Sequence, residues 1–116
     1  MNGRNMMSKN VNILCELYDV IAMRKGADPK SSFTASLFSN GTNKIAQKLG
    51  EEAVETAIAA VAEGKHETIS ESADLLYCLL VLWADKGIKP DEVWERLAER
   101  SGISGITEKE SRKKSV

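Results

Sequence analysis

Histidine is almost missing from this sequence: His66 is the only one in 116 residues. One imidazole cannot build a histidine-rich zinc site, and most histidine-based catalysis is excluded with it. Cysteine is nearly as scarce. Cys15 and Cys78 stand far apart and form no CxxC pair, as expected for reduced, buried thiols of a cytoplasmic protein. Proline occurs twice, at Pro29 and Pro90, both times between periodic segments. A charge excess is also lacking. The net charge of −1 provides no bulk field toward nucleic acid or an acidic membrane, so neither partner is expected. The longest apolar run, LLYCLLVLWA at 75–84, is half of what a bilayer crossing needs. The opening MNGRNMMSKN has no apolar stretch behind its basic residue, so no secretory leader is expected.

What is present is an ordinary globular balance, 42% apolar and 28% charged, enough for one core and one domain spanning 1–116. Leu14, Leu17, Tyr18, Ile21 and Ala22 recur at helical spacing over about 10–25. GADP at 26–29 ends that segment. SSFTASLF at 31–38 predicts one or two helical turns, and Asn40-Gly41 a turn. A long helix is expected from Thr42 to about Glu63 with Gly64 as its C-cap, then another from about Glu67 to Asp85. Pro90 is a favoured first helical residue, and Asp91 and Glu92 suit the positive end of the last helix, which stops at Gly102. No stretch alternates as a strand does. The fold class is all-α, with four or five helices. The ends, 1–9 and 106–116, are expected to be flexible. The last of these is basic through Lys109, Arg112, Lys113 and Lys114, a mobile end or a flap over an anionic ligand.

The chemistry gathers in KLGEEAVETAIAA at 48–60 and ESAD at 71–74. Glu52 and Glu55 stand at i, i+3 with Lys48 one turn earlier, on the border of the apolar side beside Ile45 and Leu49. Glu51 points to another side. Glu71 and Asp74 repeat the i, i+3 spacing on the next helix. Counted outward from a turn at Glu63-Gly64, Glu55 and Glu71 are equidistant, and so are Glu52 and Asp74. An antiparallel hairpin would bring the four carboxylates together. Like charges at i, i+3 destabilise a helix by a few tenths of a kcal/mol, about the reverse of an ion pair. Facing pairs beside apolar surface cost more, since screening is poorer there. A divalent cation removes the conflict, and all-oxygen ligands on rigid helices select a hard ion such as Mg²⁺. A solvated acidic face is the other reading, and spacing alone leaves both open. A di-iron site fails, because it needs Glu-x-x-His on two helices and Glu63…His66 is broken by Gly64.

SFTASLF…KIAQKLGEEAVETAIAA…ESADLLYCLLVL, with the final SGI-x-EK-x-SRK stretch, resembles the phosphoribosyl-ATP pyrophosphohydrolases of histidine biosynthesis. These belong to the all-α, MazG-like nucleoside-triphosphate pyrophosphatases, and the resemblance covers about 11–114. It implies Mg²⁺-dependent hydrolysis of the α–β phosphoanhydride of phosphoribosyl-ATP. Carried over by motif, Glu52, Glu55, Glu71 and Asp74 are the metal ligands, and Glu51 is a supporting acid and possible water-positioning base. Lys48 answers the phosphate charge, while Ser32 and Thr34 contact substrate. It also implies an intertwined homodimer, placing Leu79, Leu80, Leu82 and Trp83 near the interface. A separate phosphoribosyl-AMP cyclohydrolase is the expected pathway neighbour. Phe33 stands where the family usually has Tyr, and Cys78 where it commonly has His; Cys78 is read as packing. The alternative is a MazG-like pyrophosphatase of ordinary or damaged (d)NTPs, and a third reading is a non-catalytic helical dimer holding a partner or a structural cation.

Overall fold

A computed structural model describes residues 7–101 and contains five helices in that span. The first, α1 (Asn12–Met23), places Leu14, Leu17, Tyr18 and Ile21 on one stripe, and Ile21 is fully buried. The loop after it turns at Gly26, whose φ of 86° is left-handed. It then tightens around Asp28, which accepts the N–H of Lys30 at 2.9 Å. In α2 (Phe33–Asn40) the extended Ser32 is the N-cap, its hydroxyl oxygen accepting the N–H of Ala35 at 3.0 Å. Gly41 alone separates α2 from α3 (Thr42–Ala62). Its φ of 95° and ψ of 173° belong to a region that side chains disfavour, so the expected Asn40-Gly41 turn is a one-residue joint.

The helices α3 and α4 (Lys65–Asp85) form the spine of the molecule, an antiparallel hairpin closed by Glu63-Gly64. Two hydroxyls fix its register. At the open end Thr42 Oγ1 donates to Asp85 Oδ2 at 2.6 Å. Near the middle Thr56 Oγ1 lies 2.7 Å from the Glu52 carbonyl and 3.2 Å from that of Glu71. Gly64 does not cap α3 as expected. Glu63 does, and Gly64 is the extended N-cap of α4, its φ of −168° open to any residue. Its carbonyl accepts the N–H of Thr68, so α4 begins two residues earlier than the apolar pattern suggests.

Around the open half of the hairpin the remaining elements build the core, in which Ile21, Leu37, Ile45, Leu80 and Val81 are essentially inaccessible. The short α5 (Pro90–Ser101) brings Trp94 edge-on to Trp83, with centroids 5.9 Å apart and planes at 79°. The hydroxyl of Tyr18 donates to the Ile88 carbonyl at 2.7 Å. Lys25 Nζ donates to the carbonyls of Ala84 and Asp85 at 3.1 and 3.2 Å, satisfying the end of α4.

Burial within the single chain adds two findings. Leu80 and Trp83, expected near an interface, are buried within the single chain, and Leu79 and Leu82 are half-buried. The reason is that α1 packs along that side of α4 and Trp94 of α5 meets Trp83. Cys78 is buried as expected, but Cys15 is exposed on α1, and both are free thiols. Among the described residues no helix is long and apolar enough to cross a membrane. Of the terminal segments, Ser8 donates from N and Oγ to Glu16 at 2.9 and 2.7 Å, while the basic end lies outside the described residues.

Candidate functional site

Glu52, Glu55 and Glu71 come together between α3 and α4, each offering one carboxylate oxygen within 4.8 Å of the others. The hairpin register accounts for it: Thr56 ties the backbone of Glu52 to that of Glu71, and Glu55 follows one turn after Glu52. Burial differs across the three. Glu52 is only 6% exposed, deeper than a border position on a helix wheel suggests, whereas Glu71 is half-buried and Glu55 open to solvent.

One Glu52 oxygen is matched. Oε1 lies 3.3 Å from the Lys48 ammonium one turn earlier, and the hydrogen bond to Glu52 holds the Lys48 pKa above its usual value against partial burial. The other oxygen is not. Glu52 Oε2 and Glu71 Oε1 are both buried without a hydrogen-bond partner. An orphaned buried carboxylate oxygen carries a substantial desolvation cost, and two carboxyl groups this close across a hairpin favour a shared cation or proton. The same conflict appears in titration. Burial first, then the Glu52 carboxyl and the charges of Glu55, Glu52 and Asp74, hold the Glu71 carboxyl above the usual carboxylate range.

Asp74, the fourth acid, is exposed and lies outside the close triad. It lines an adjoining cleft of about 270 Å³ with Phe33, Lys48, Glu52, Tyr77 and Cys78. The site is therefore a carboxylate triad opening onto a cleft that Glu52 shares. Cys78 packs in the cleft wall at 7% exposure; burial raises its thiol pKa, the Glu52 charge adds to this, and Lys48 opposes it.

Glu51 faces solvent, accepting a hydrogen bond from Gln47 Nε2 at 2.9 Å, and is not in the triad, although its charge reaches Lys48. Ser32 is occupied as the cap of α2. Thr34 is buried, its hydroxyl held by the hydroxyl of Tyr77 across to α4. Sequence reasoning missed two residues here. Thr56, a hydroxyl at i+4 from Glu52 in an alanine-rich stretch, carried a faint signal. Tyr77, at i+3 from Asp74, carried a clearer one.

Fold and site together define a class: an all-α protein whose helical hairpin presents converging carboxylates beside a lysine, the donor set for a hard cation and a phosphate chain. Residues 14–101 match the family model described as phosphoribosyl-ATP pyrophosphohydrolase, and the chain belongs to that family. It is 62% identical over 108 residues to the phosphoribosyl-ATP pyrophosphatase of Paramagnetospirillum magneticum, covering 93% of this chain and 99% of the relative. To that of Azospirillum brasilense it is 61% identical over 101 residues, covering 87% and 91%. It also matches a histidine biosynthesis bifunctional protein of Photobacterium profundum, at 54% over 87 residues, covering 75% of this chain and 42% of the relative.

Proposed function

We propose that the triad and its cleft carry out the reaction named by the chain's family, the hydrolysis of phosphoribosyl-ATP to phosphoribosyl-AMP and pyrophosphate. The single observation that carries this reading is the pair of orphaned, buried oxygens on Glu52 and Glu71. In a chain of this family they are most simply explained as ligand atoms kept ready for a cation.

Glu52, Glu55 and Glu71 would hold Mg²⁺, with Asp74 joining from the adjoining cleft. These all-oxygen donors fit such an ion. Bound there, Mg²⁺ neutralises polyphosphate charge and acts as a Lewis acid toward the scissile anhydride. The chain's own residues do the rest. Lys48, in the wall of the cleft, can turn its ammonium from Glu52 to a phosphate oxygen without leaving the site. Glu51 lies outside the triad and the cleft lining, so its part as a supporting acid would be exerted through its charge on Lys48. Thr56 holds the two backbone segments at the spacing the triad needs. Ser32 and Thr34 serve the substrate by fixing the start of α2 at the mouth of the cleft.

Pyrophosphate release from phosphoribosyl-ATP, with Mg²⁺ and then with EDTA, tests the assignment. Release is expected only with the metal. Full activity in EDTA removes the metal reading, and faster release from dNTPs moves the chain to nucleotide-pool cleaning.

A cytoplasmic homodimer belongs to the same proposal. Support comes from the closed half of the hairpin, where Val54, Ile58 and Val61 are 60%, 50% and 88% exposed and line an apolar groove with Ala57 and Ala62. A light-scattering mass of one chain at micromolar concentration refutes the dimer.

A further inference from the structure

Phe33 has no evident role in the fold, and that is the informative fact about it. The sequence contains two each of Phe, Tyr and Trp. Tyr18, Phe38, Tyr77 and Trp94 are half-buried against the core and Trp83 is part of it, whereas Phe33 is 64% exposed. It is nevertheless firmly placed. Ser32 before it caps α2, and Thr34 after it is buried and tied to Tyr77, so the backbone at residue 33 is pinned on both sides. The ring lines the cleft that Glu52, Asp74 and Lys48 share. Lys48 Nζ is 3.3 Å from Glu52 Oε1 and 6.0 Å from the Phe33 ring centroid, so one lysine spans the gap between ring and carboxylate. A nucleotide has the same layout: a ribose separates a flat base from the phosphate that metal and lysine would grip.

We propose that Phe33 is the platform on which the adenine of the substrate stacks, so that it makes the site selective for a nucleotide over a bare polyphosphate. This rests on reading the carboxylates as the phosphate-binding site. Stacking needs only a π-face, so the missing hydroxyl at this position does not weaken it, and the contact is sequence-tolerant and of appreciable strength. When Lys48 turns to phosphate, the ring face it now covers becomes free for the base.

The test compares ligands with and without a base on Phe33→Ala and Phe33→Trp. Phe33→Ala should raise KM for phosphoribosyl-ATP about tenfold, the size of one base stack, and leave kcat within about twofold. In calorimetry with Mg²⁺ it should weaken phosphoribosyl-AMP by a similar factor and leave tripolyphosphate, which has no base, unchanged. Phe33→Trp should restore both values, and the melting temperature should not move in either variant. Unchanged nucleotide affinity in Phe33→Ala overturns the proposal. So does an equal loss for tripolyphosphate, which makes the ring a support for Lys48, or loss of a wild-type dimer in light scattering, which makes it an interface residue. Failure of the underlying reading looks different: wild-type protein would release no pyrophosphate from phosphoribosyl-ATP.

Discussion

The two halves of the α3–α4 hairpin are made of the same helices and live by different rules. In the open half, α4 buries Cys78, Leu80, Val81, Trp83 and Ala84, and α3, packed against α2, buries Ile45 in the same core. In the closed half, from Val54 around the turn to Asp74, only Ala59 is buried, and Val54, Ile58, Val61 and Ile69 stand exposed. The carboxylate triad sits where the halves meet, with Glu52 just inside the packed region and Glu55 just outside it. One region thus supplies rigidity and the other supplies open surface. A site at their boundary gets carboxylates that are held still and remain reachable from solvent.

Substitutions on either side of the boundary should separate these roles. The largest effect is expected from Glu52→Gln, which should lower pyrophosphate release by more than about 100-fold, beyond what loss of an outer-shell partner costs a metal site. The metal-free variant should unfold at an equal or higher urea concentration than wild type, since one of two facing acids is gone. A large loss of stability would mean that Glu52 belongs to the packed half after all. Leu80→Ala, wholly within that half, should destabilise the chain by about 2–5 kcal/mol in urea unfolding, while folded protein at low temperature keeps its kcat. Ser32→Ala removes a helix cap, and a loss of about 1 kcal/mol is expected; a fall in kcat larger than the fall in stability would give Ser32 a direct role with substrate.

The smallest effect lies in pH. Glu71 is held above the usual carboxylate range, so the folded chain keeps that proton to higher pH than the unfolded chain does. Its contribution is therefore greatest below the ordinary glutamate pKa and is lost as pH rises through the folded value. Urea midpoints of metal-free protein, followed from about pH 4 to 7, should decline, and Glu71→Gln should flatten the decline. A midpoint that rises through this window in wild type and variant alike would show that the Glu71 oxygen is not in conflict with its neighbours.

Much of this was legible in the sequence because it is local. Sequence pattern located the four longer helices and read SSFTASLF as one or two turns of α2. Counting outward from Glu63-Gly64 set Glu55 opposite Glu71 and Glu52 opposite Asp74; the Thr56 bridge instead ties Glu52 to Glu71, and Asp74 lies outside the close triad. What escaped depends on which helix lies over which. The burial of Glu52 and the cover over Leu80 and Trp83 follow from where α1, α2 and α5 dock, and periodicity reports a face without naming its neighbour. The cap at the hairpin turn escaped for a smaller reason. Gly64 looks like a helix-ending glycine, but its backbone is extended and opens the next helix instead.

Gly41 has a consequence for the mouth of the cleft. With one residue between α2 and α3, the angle between α3 and the helix whose first residue, Phe33, lines the cleft is set by a single pair of torsions. A methyl group there would meet nothing within 4 Å, yet the φ of 95° excludes it. The joint is thus restricted by chirality while space around it is free. A D-alanine introduced by chemical synthesis should keep the elbow where L-alanine would bend it, shifting Phe33 in the cleft wall with every acid left in place.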